Sequence, residues 1–195
     1  MTKQLFEHPE LVSDETLALW LEALPEWRRR QALRYKFRMG QVLCAKSYLM
    51  LCYGLQRDFG IDAQPAFEIL EHGKPVLKGI DGIHFNMSHC HRGILCVIDR
   101  QPVGCDIEKF PEQLKDCLID YCMNPCEKAA IKSSPTPEAE FTRLWTQKEA
   151  LGKLSGQGIG HNLPTVLDSE TMAEIKMETE LNLDAGYAYS VCHKR

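Results

Sequence analysis

The apolar period of this chain changes three times along its length, and that alternation restricts the available folds more than any other feature. Ser13 followed by Asp14 and Glu15 predicts a helix start, with Leu17, Trp20, Leu21 and Leu24 as its apolar stripe. Pro25 marks a break and suits the first position of the next helix. A further helix is expected over 41–55, ending near Gly54, with Val42, Leu43, Ala45, Leu49 and Tyr53 as core contacts. The period then becomes alternating. Short strands are expected at 66–70, 75–77, 84–87, 94–98 and 103–107, and the last two are close enough to form an antiparallel hairpin around 99–102. Helices return at 114–123, 126–131 and 138–154, around a Ser133-Ser134-Pro135-Thr136-Pro137 loop. A small sheet is expected at 165–167, 173–178 and 187–192. Helices, strands, helices, strands is an α+β order, not that of one doubly wound sheet. Two halves follow, 1–100 and 101–195, with the boundary near Asp99 to Pro102 and no close sequence repeat between them.

Composition excludes several classes. Of 195 residues, 44% are hydrophobic and 26% charged, too apolar for a disordered chain. A net charge of −4 argues against a nucleic-acid partner held by bulk charge. No apolar run approaches the ~18 residues of a membrane span, and residues 1–10 lack the apolar core of a secretory signal. A soluble, cytoplasmic protein is expected. The nine cysteines cannot all pair. Cys44, Cys52, Cys96 and Cys105 sit among apolar neighbours and act as small hydrophobes. Cys117, Cys122 and Cys126, with His89-Cys90-His91, leave zinc as a runner-up, but their spacing matches none of the usual knuckles. Reduced thiols are the expected state.

Charge is unevenly spread. Between Trp27 and Lys46 lie seven basic residues (Arg28, Arg29, Arg30, Arg34, Lys36, Arg38 and Lys46) and no acidic one, leaving 16 basic against 27 acidic elsewhere. A run of one sign points to an anionic partner, with a solvated face as the bland alternative.

Four segments carry chemistry. In Val103-Gly104-Cys105-Asp106-Ile107-Glu108, two carboxylates at alternate strand positions share a face, where a hard cation such as Mg²⁺ would offset their repulsion. The same spacing also occurs on the wet face of an edge strand. Trp145, Glu149 and Lys153 share one face of the strongest helix, either as an ordinary Glu-to-Lys pair under a packed Trp or as functional groups, and Gly156 and Gly158 follow. Phe85-Asn86-Met87-Ser88-His89 ends a strand in groups able to bind phosphate or to satisfy a turn. A Ser–His hydrolase is disfavoured, because adjacent strand residues face opposite ways and no nucleophile elbow is present. Gly73-Lys74-Pro75 is a turn by residue type.

In this order, the four segments resemble the 4′-phosphopantetheinyl transferase superfamily of the Sfp-like type, which shows G-K-P, F-N-x-S-H, V-G-[VIC]-D-[IV]-E and W-x-x-K-E-A-x-x-K followed by G-x-G. The matching motifs span residues 73–158. The resemblance implies two similar α+β halves related by pseudo-twofold symmetry, with the active site in the cleft between them. It implies an enzyme that moves the 4′-phosphopantetheine arm of coenzyme A to a serine of an acyl or peptidyl carrier protein, releasing adenosine 3′,5′-bisphosphate with Mg²⁺. By motif match, Asp106, Glu108 and Glu149 would hold the metal, and Lys74, Ser88 and His89 would contact coenzyme A phosphates. Lys153 would face the pyrophosphate. Glu149 is preferred over Glu127 as base, since Asn124-Pro125-Cys126 departs from the usual pattern before Glu127. Lys36 is the best match for the adenosine 3′-phosphate, with the acidic surface of a carrier as the alternative use of the basic run. Cys90 and Cys105 are small departures that remove no needed group. A duplicated fold forms its cleft within one chain, so a monomer is expected. A catalytically silent relative that binds coenzyme A or a carrier is the alternative.

Overall fold

The structure is a computed structural model and describes residues 1–158 and 163–195. The chain opens on β1 (Thr2–Glu7), followed by the helices α1 (Asp14–Ala23), α2 (Glu26–Leu33) and α3 (Arg38–Phe59). Next come β2 (Phe67–Ile69), β3 (Pro75–Leu77), β4 (His84–Cys90), β5 (Gly93–Asp99) and β6 (Val103–Lys109). The helices α4 (Asp116–Cys122), α5 (Pro125–Ser133), α6 (Pro137–Ser155) and α7 (Ser169–Ala173) lead to β7 (Ile175–Asn182) and β8 (Tyr187–Lys194). The protein is thus mixed α+β, as the alternating period requires. None of its described helices is long and apolar enough to cross a membrane.

Two three-stranded antiparallel sheets carry the fold, ordered β1-β5-β4 and β6-β8-β7. Each places its last strand between the first and the second. β5 lies at the centre of the first sheet and is buried on both faces. Its Ile94, Cys96 and Ile98 join Leu51 and Leu55 of α3 in one core. Leu95 and Val97 point the other way, into a second core with Val103, Cys105 and Ile107 of β6 and Tyr187, Tyr189 and Val191 of β8. Period-two alternation therefore serves two cores from one strand. On the outer face of the second sheet, Ala150, Leu151 and Leu154 of α6 pack with Ile175 and Cys192.

Several local expectations are corrected. β5 and β6 do not form a hairpin: β1 and β4 occupy both edges of β5, and β6 pairs with β8. The turn at 100–102 carries the chain from one sheet to the other. Helix α3 runs past Gly54 to Phe59, where Gly60, at φ 68°, closes it. Gly54 instead permits close packing, since a Cβ there would lie 2.4 Å from Gln4 Nε2 and 2.6 Å from Ile98 Cδ1. Tyr53 is not a core contact; it lies exposed under the Arg57 guanidinium. The strand expected at 165–167 is a 3-10 turn, Leu163–Thr165, followed by α7, and β7 begins only at Ile175. β1 escapes the sequence reading because its pairing partner lies some ninety residues further along the chain.

Candidate active site

The site forms where β4 meets β6 and α6 crosses them. The Asn86 side chain accepts a hydrogen bond from Cys105 N at 2.9 Å, a clip between strands of different sheets. Gly104 lets α6 close on β6: a Cβ there would lie 2.1 Å from Ala150 O and 2.6 Å from Leu154 N. A glycine inside a strand often marks such an approach. The outcome is a junction of three motifs. Lys153 Nζ donates to Asp106 Oδ1 at 2.6 Å and to Ser88 Oγ at 2.9 Å, and Ser88 Oγ donates to the same Asp106 oxygen at 2.7 Å.

Charge at this junction is unbalanced. Asp106 is only 2% exposed, and its Oδ2 is buried without a hydrogen-bond partner among the described residues. Burial, then the charges of Asp106 and Glu149, push the Glu108 carboxyl up to about 7. Burial and the Asp106 charge also raise Glu149. Burial works to lower the Lys153 ammonium, but Asp106 outweighs it and the net shift is upward. Asp106, Glu108 and Glu149 are thus close enough to repel one another around a single lysine. No group of three or more His, Cys, Asp or Glu among the described residues is drawn together closely enough to hold a metal ion. The donor set nevertheless fits a hard cation: oxygen ligands only, a buried carboxylate oxygen without a partner among the described residues, and two neighbouring carboxyls raised by burial and by the charge of Asp106.

Beside the junction, Lys74 from the β2–β3 turn donates to the last carbonyls of α6, Lys153 O at 2.6 Å and Leu154 O at 3.1 Å. It lines a groove of about 260 Å³ with Gly73, Pro75, Met87, Lys153 and Gly156. A second groove of about 530 Å³ shares Gly73, Pro75 and Met87 and reaches Trp27, Arg28 and Phe67. Arg28 is the member of the basic run that the sequence fits to the 3′-phosphate only loosely, behind Lys36, and it lines this groove. Arg28 as a whole is 9% exposed; its guanidinium lies over the Tyr48 ring and, among the described residues, donates to Gln31 Oε1 and Cys44 O. It makes no ion pair among the described residues, and its Nε is buried without a partner. The available signal was Arg28 at the head of the one-signed run, three residues before Gln31 on one helix face. His89 stands at the rim with solvent access. Crowding by the protein, with the Lys153 and Arg28 charges nearby, still holds its imidazole below the usual value.

Lys36 is placed elsewhere, exposed over the Phe37 ring and outside both grooves. Glu127 also lies apart, paired with Lys148 at 2.9 Å. On the far side of Glu108, a hollow of about 280 Å³ is lined by Lys109, Leu118, Phe141 and Trp145. A larger apolar hollow of about 440 Å³ behind α6, lined by Pro102, Leu154 and Ile175, holds none of the junction's carboxylates.

The fold and site together define an α+β protein in which a carboxylate cluster and one lysine stand at the end of a cationic groove. Residues 102–192 match the profile of the 4′-phosphopantetheinyl transferase superfamily. A 4′-phosphopantetheinyl transferase of Bacillus subtilis is 31% identical over 140 residues, covering 70% of this chain and 60% of that protein. The transferase psf-1 of Bacillus pumilus is 30% identical over 145 residues, covering 68% and 62%. Sfp of Bacillus subtilis strain 168 is 28% identical over 141 residues, covering 71% and 61%. Over these stretches the chain is similar to the Sfp-like members of the 4′-phosphopantetheinyl transferase superfamily. The matches span less than two thirds of the length of these three relatives.

Proposed function

We propose that this protein transfers the 4′-phosphopantetheine arm of coenzyme A to a serine hydroxyl of an acyl or peptidyl carrier protein. The observation that carries this is the Lys153–Asp106–Ser88 junction, flanked by Glu108 and Glu149 and opening onto the groove that ends at Arg28. The nucleotide end of coenzyme A would lie along Gly73–Pro75, with a phosphate in reach of Lys74, Ser88 and His89. Arg28 supplies a buried cation with no acidic partner among the described residues, so it suits the 3′-phosphate better than the exposed Lys36 does. The pyrophosphate would face Lys153.

In the reaction, the serine oxygen forms a bond to the β-phosphorus. The bond from that phosphorus to the bridging oxygen breaks, and adenosine 3′,5′-bisphosphate leaves with the electron pair. Glu149, half-buried and with its carboxyl raised by burial and the Asp106 charge, takes the serine proton. Lys153 neutralises charge gathering on the leaving phosphate. Asp106, Glu108 and Glu149 would hold Mg²⁺, which supplies further charge neutralisation on the phosphates when bound. The arm and carrier serine would enter over Leu118, Phe141 and Trp145.

The repeated strand order, first-third-second in each sheet, supports two halves, 1–100 and 101–195, related by a pseudo-twofold axis. A single chain would then contain the cleft, which favours a monomer. Free cysteines at nine positions suit the cytoplasm. The test is the intact mass of an apo acyl carrier protein, then of an apo peptidyl carrier domain, after incubation with this protein, coenzyme A and Mg²⁺. A gain of one phosphopantetheine arm is expected, absent with EDTA and with Glu149→Gln. Coenzyme A binding with every carrier unmodified would identify a silent relative instead.

A further inference from the structure

Lys148 is fully buried in the middle of α6, with an exposure of 0%. Its ammonium donates to Glu127 Oε2 at 2.9 Å and to Leu163 O at 2.6 Å. The same Glu127 oxygen accepts Asn124 N at 2.8 Å, while Asn124 Oδ1 accepts Glu127 N, completing a reciprocal cap at the start of α5. Asn124 Nδ2 also donates to Pro164 O at 3.2 Å. One ion pair therefore ties together the start of α5, the middle of α6 and the Leu163–Thr165 turn. Glu127 is 7% exposed and its Oε1 is buried without a partner among the described residues. An ion pair so desolvated and incompletely satisfied adds little net stability over apolar side chains of similar shape, but removing one partner strands the other charge.

Its place on α6 suggests what it does. Consecutive helical residues point about 100° apart, so Lys148 faces α5 while Glu149 faces Asp106 and Glu108. Pinning Lys148 fixes the rotation of α6 about its axis, and with it the directions of Glu149 and Lys153. Resting on the transferase function above, we propose that Lys148 and Glu127 are positioning residues that set this rotation, and that Glu127 is not the general base. Glu127 touches none of Asp106, Glu108, Glu149 and Lys153 in its hydrogen bonds or its ion pair.

The test compares wild type, Glu127→Gln, Lys148→Met and the double variant in steady-state transfer at 25 °C. Each is first shown to be folded by circular dichroism and thermal melting. For Glu127→Gln, kcat is expected to fall about tenfold with KM for coenzyme A within about twofold. Lys148→Met strands a buried carboxylate and is expected to fall further, about thirtyfold or more, whereas the double variant returns to within about threefold of Glu127→Gln. Recovery on adding a second substitution is the signature of a pair. If Glu127 is the base, Glu127→Gln and the double variant both lose about a thousandfold without recovery, and the proposal is overturned. Folded variants whose kcat values all stay within about twofold of wild type also overturn it, leaving a purely structural pair. Should Lys148→Met fail to fold, wild type, Glu127→Gln and the double variant decide by the same criteria. A folded wild type that modifies no carrier removes the transferase function itself, and this proposal with it.

Discussion

Asp106 concentrates more of the site's physics than any other residue. One of its oxygens accepts from both Lys153 and Ser88 while the other has no partner among the described residues. The two sides of the pair should respond differently to substitution. Lys153→Met leaves the carboxylate buried and uncompensated, and urea unfolding should show a loss of about 2–3 kcal/mol, below the ~3–5 of a fully buried pair because the Lys153 side chain is 30% exposed. Asp106→Asn keeps the shape and a hydrogen-bond acceptor, so the melting temperature should move little while transfer falls by about a hundredfold or more. Glu108 sets the pH dependence. Its folded value of about 7 lies above its ordinary 4.5, so the folded state prefers the protonated acid. That group's contribution is fully present below about 4.5 and is lost as pH rises through about 7. In EDTA, the melting temperature of wild type should therefore fall between pH 5 and pH 8 more than that of Glu108→Gln. Mg²⁺ should raise the wild-type value at pH 8 and not at pH 5. Equal slopes in the two proteins would remove Glu108 from this account.

Helix α6 and strand β6 act as one unit because Gly104 removes the side chain between them. Gly104→Ala would drive a methyl group into the Ala150 carbonyl, which lies on backbone and cannot swing aside. The elements must part, and core overpacking of this kind is destabilising by about 1–3 kcal/mol or more. Asp106 and Glu108 would then separate from Glu149 and Lys153. Chemical denaturation should show the stability loss, and transfer by the folded fraction should fall as well; a variant with wild-type stability would show that the backbones can slide. That α6 would be helical was readable from its period. The meaning of Gly104 was not: it lies within an apolar strand pattern, and what it accommodates is a helix turn, at Ala150 and Leu154, more than forty residues later. Likewise Gly54 reads as a helix stop from local rules, yet it serves the approach of Gln4 and Ile98.

The two sheets meet through a shared core and a few polar clips. Asn86 is the clip nearest the site, satisfying Cys105 N across the boundary. Asn86→Leu keeps similar bulk but orphans a buried amide, a loss of about 1–3 kcal/mol. Because β4 carries Ser88 and β6 carries Asp106, coenzyme A affinity, read by isothermal titration calorimetry, should weaken along with stability. Unchanged affinity would mean that α6 alone holds the two strands in register. Tyr187 makes a second link, donating to Glu7 at 2.7 Å.

Local chemistry was enough to read most helices, most strands, the α+β class and the four motifs, because periodicity, caps and turns depend on neighbours within a few residues of one another. The resemblance those motifs carry then named the residues of the junction in advance. Pairing partners lay beyond such rules. Whether β5 turns back on β6 or inserts between β1 and β4 is decided by which surfaces bury together, and β1 competes for that edge from the other end of the half. The basic run shows the same limit. Its composition announced an anionic partner, but only packing sorted its members, sending Arg28 inward with no ion pair among the described residues and leaving Lys36 in solvent. So too with Glu127 and Glu149, two glutamates of equal chemistry: one is turned into a buried pair with Lys148 and the other towards Asp106. Residue type states what a side chain can do, whereas its environment, assembled from distant segments, sets which charge it meets and whether water can reach it.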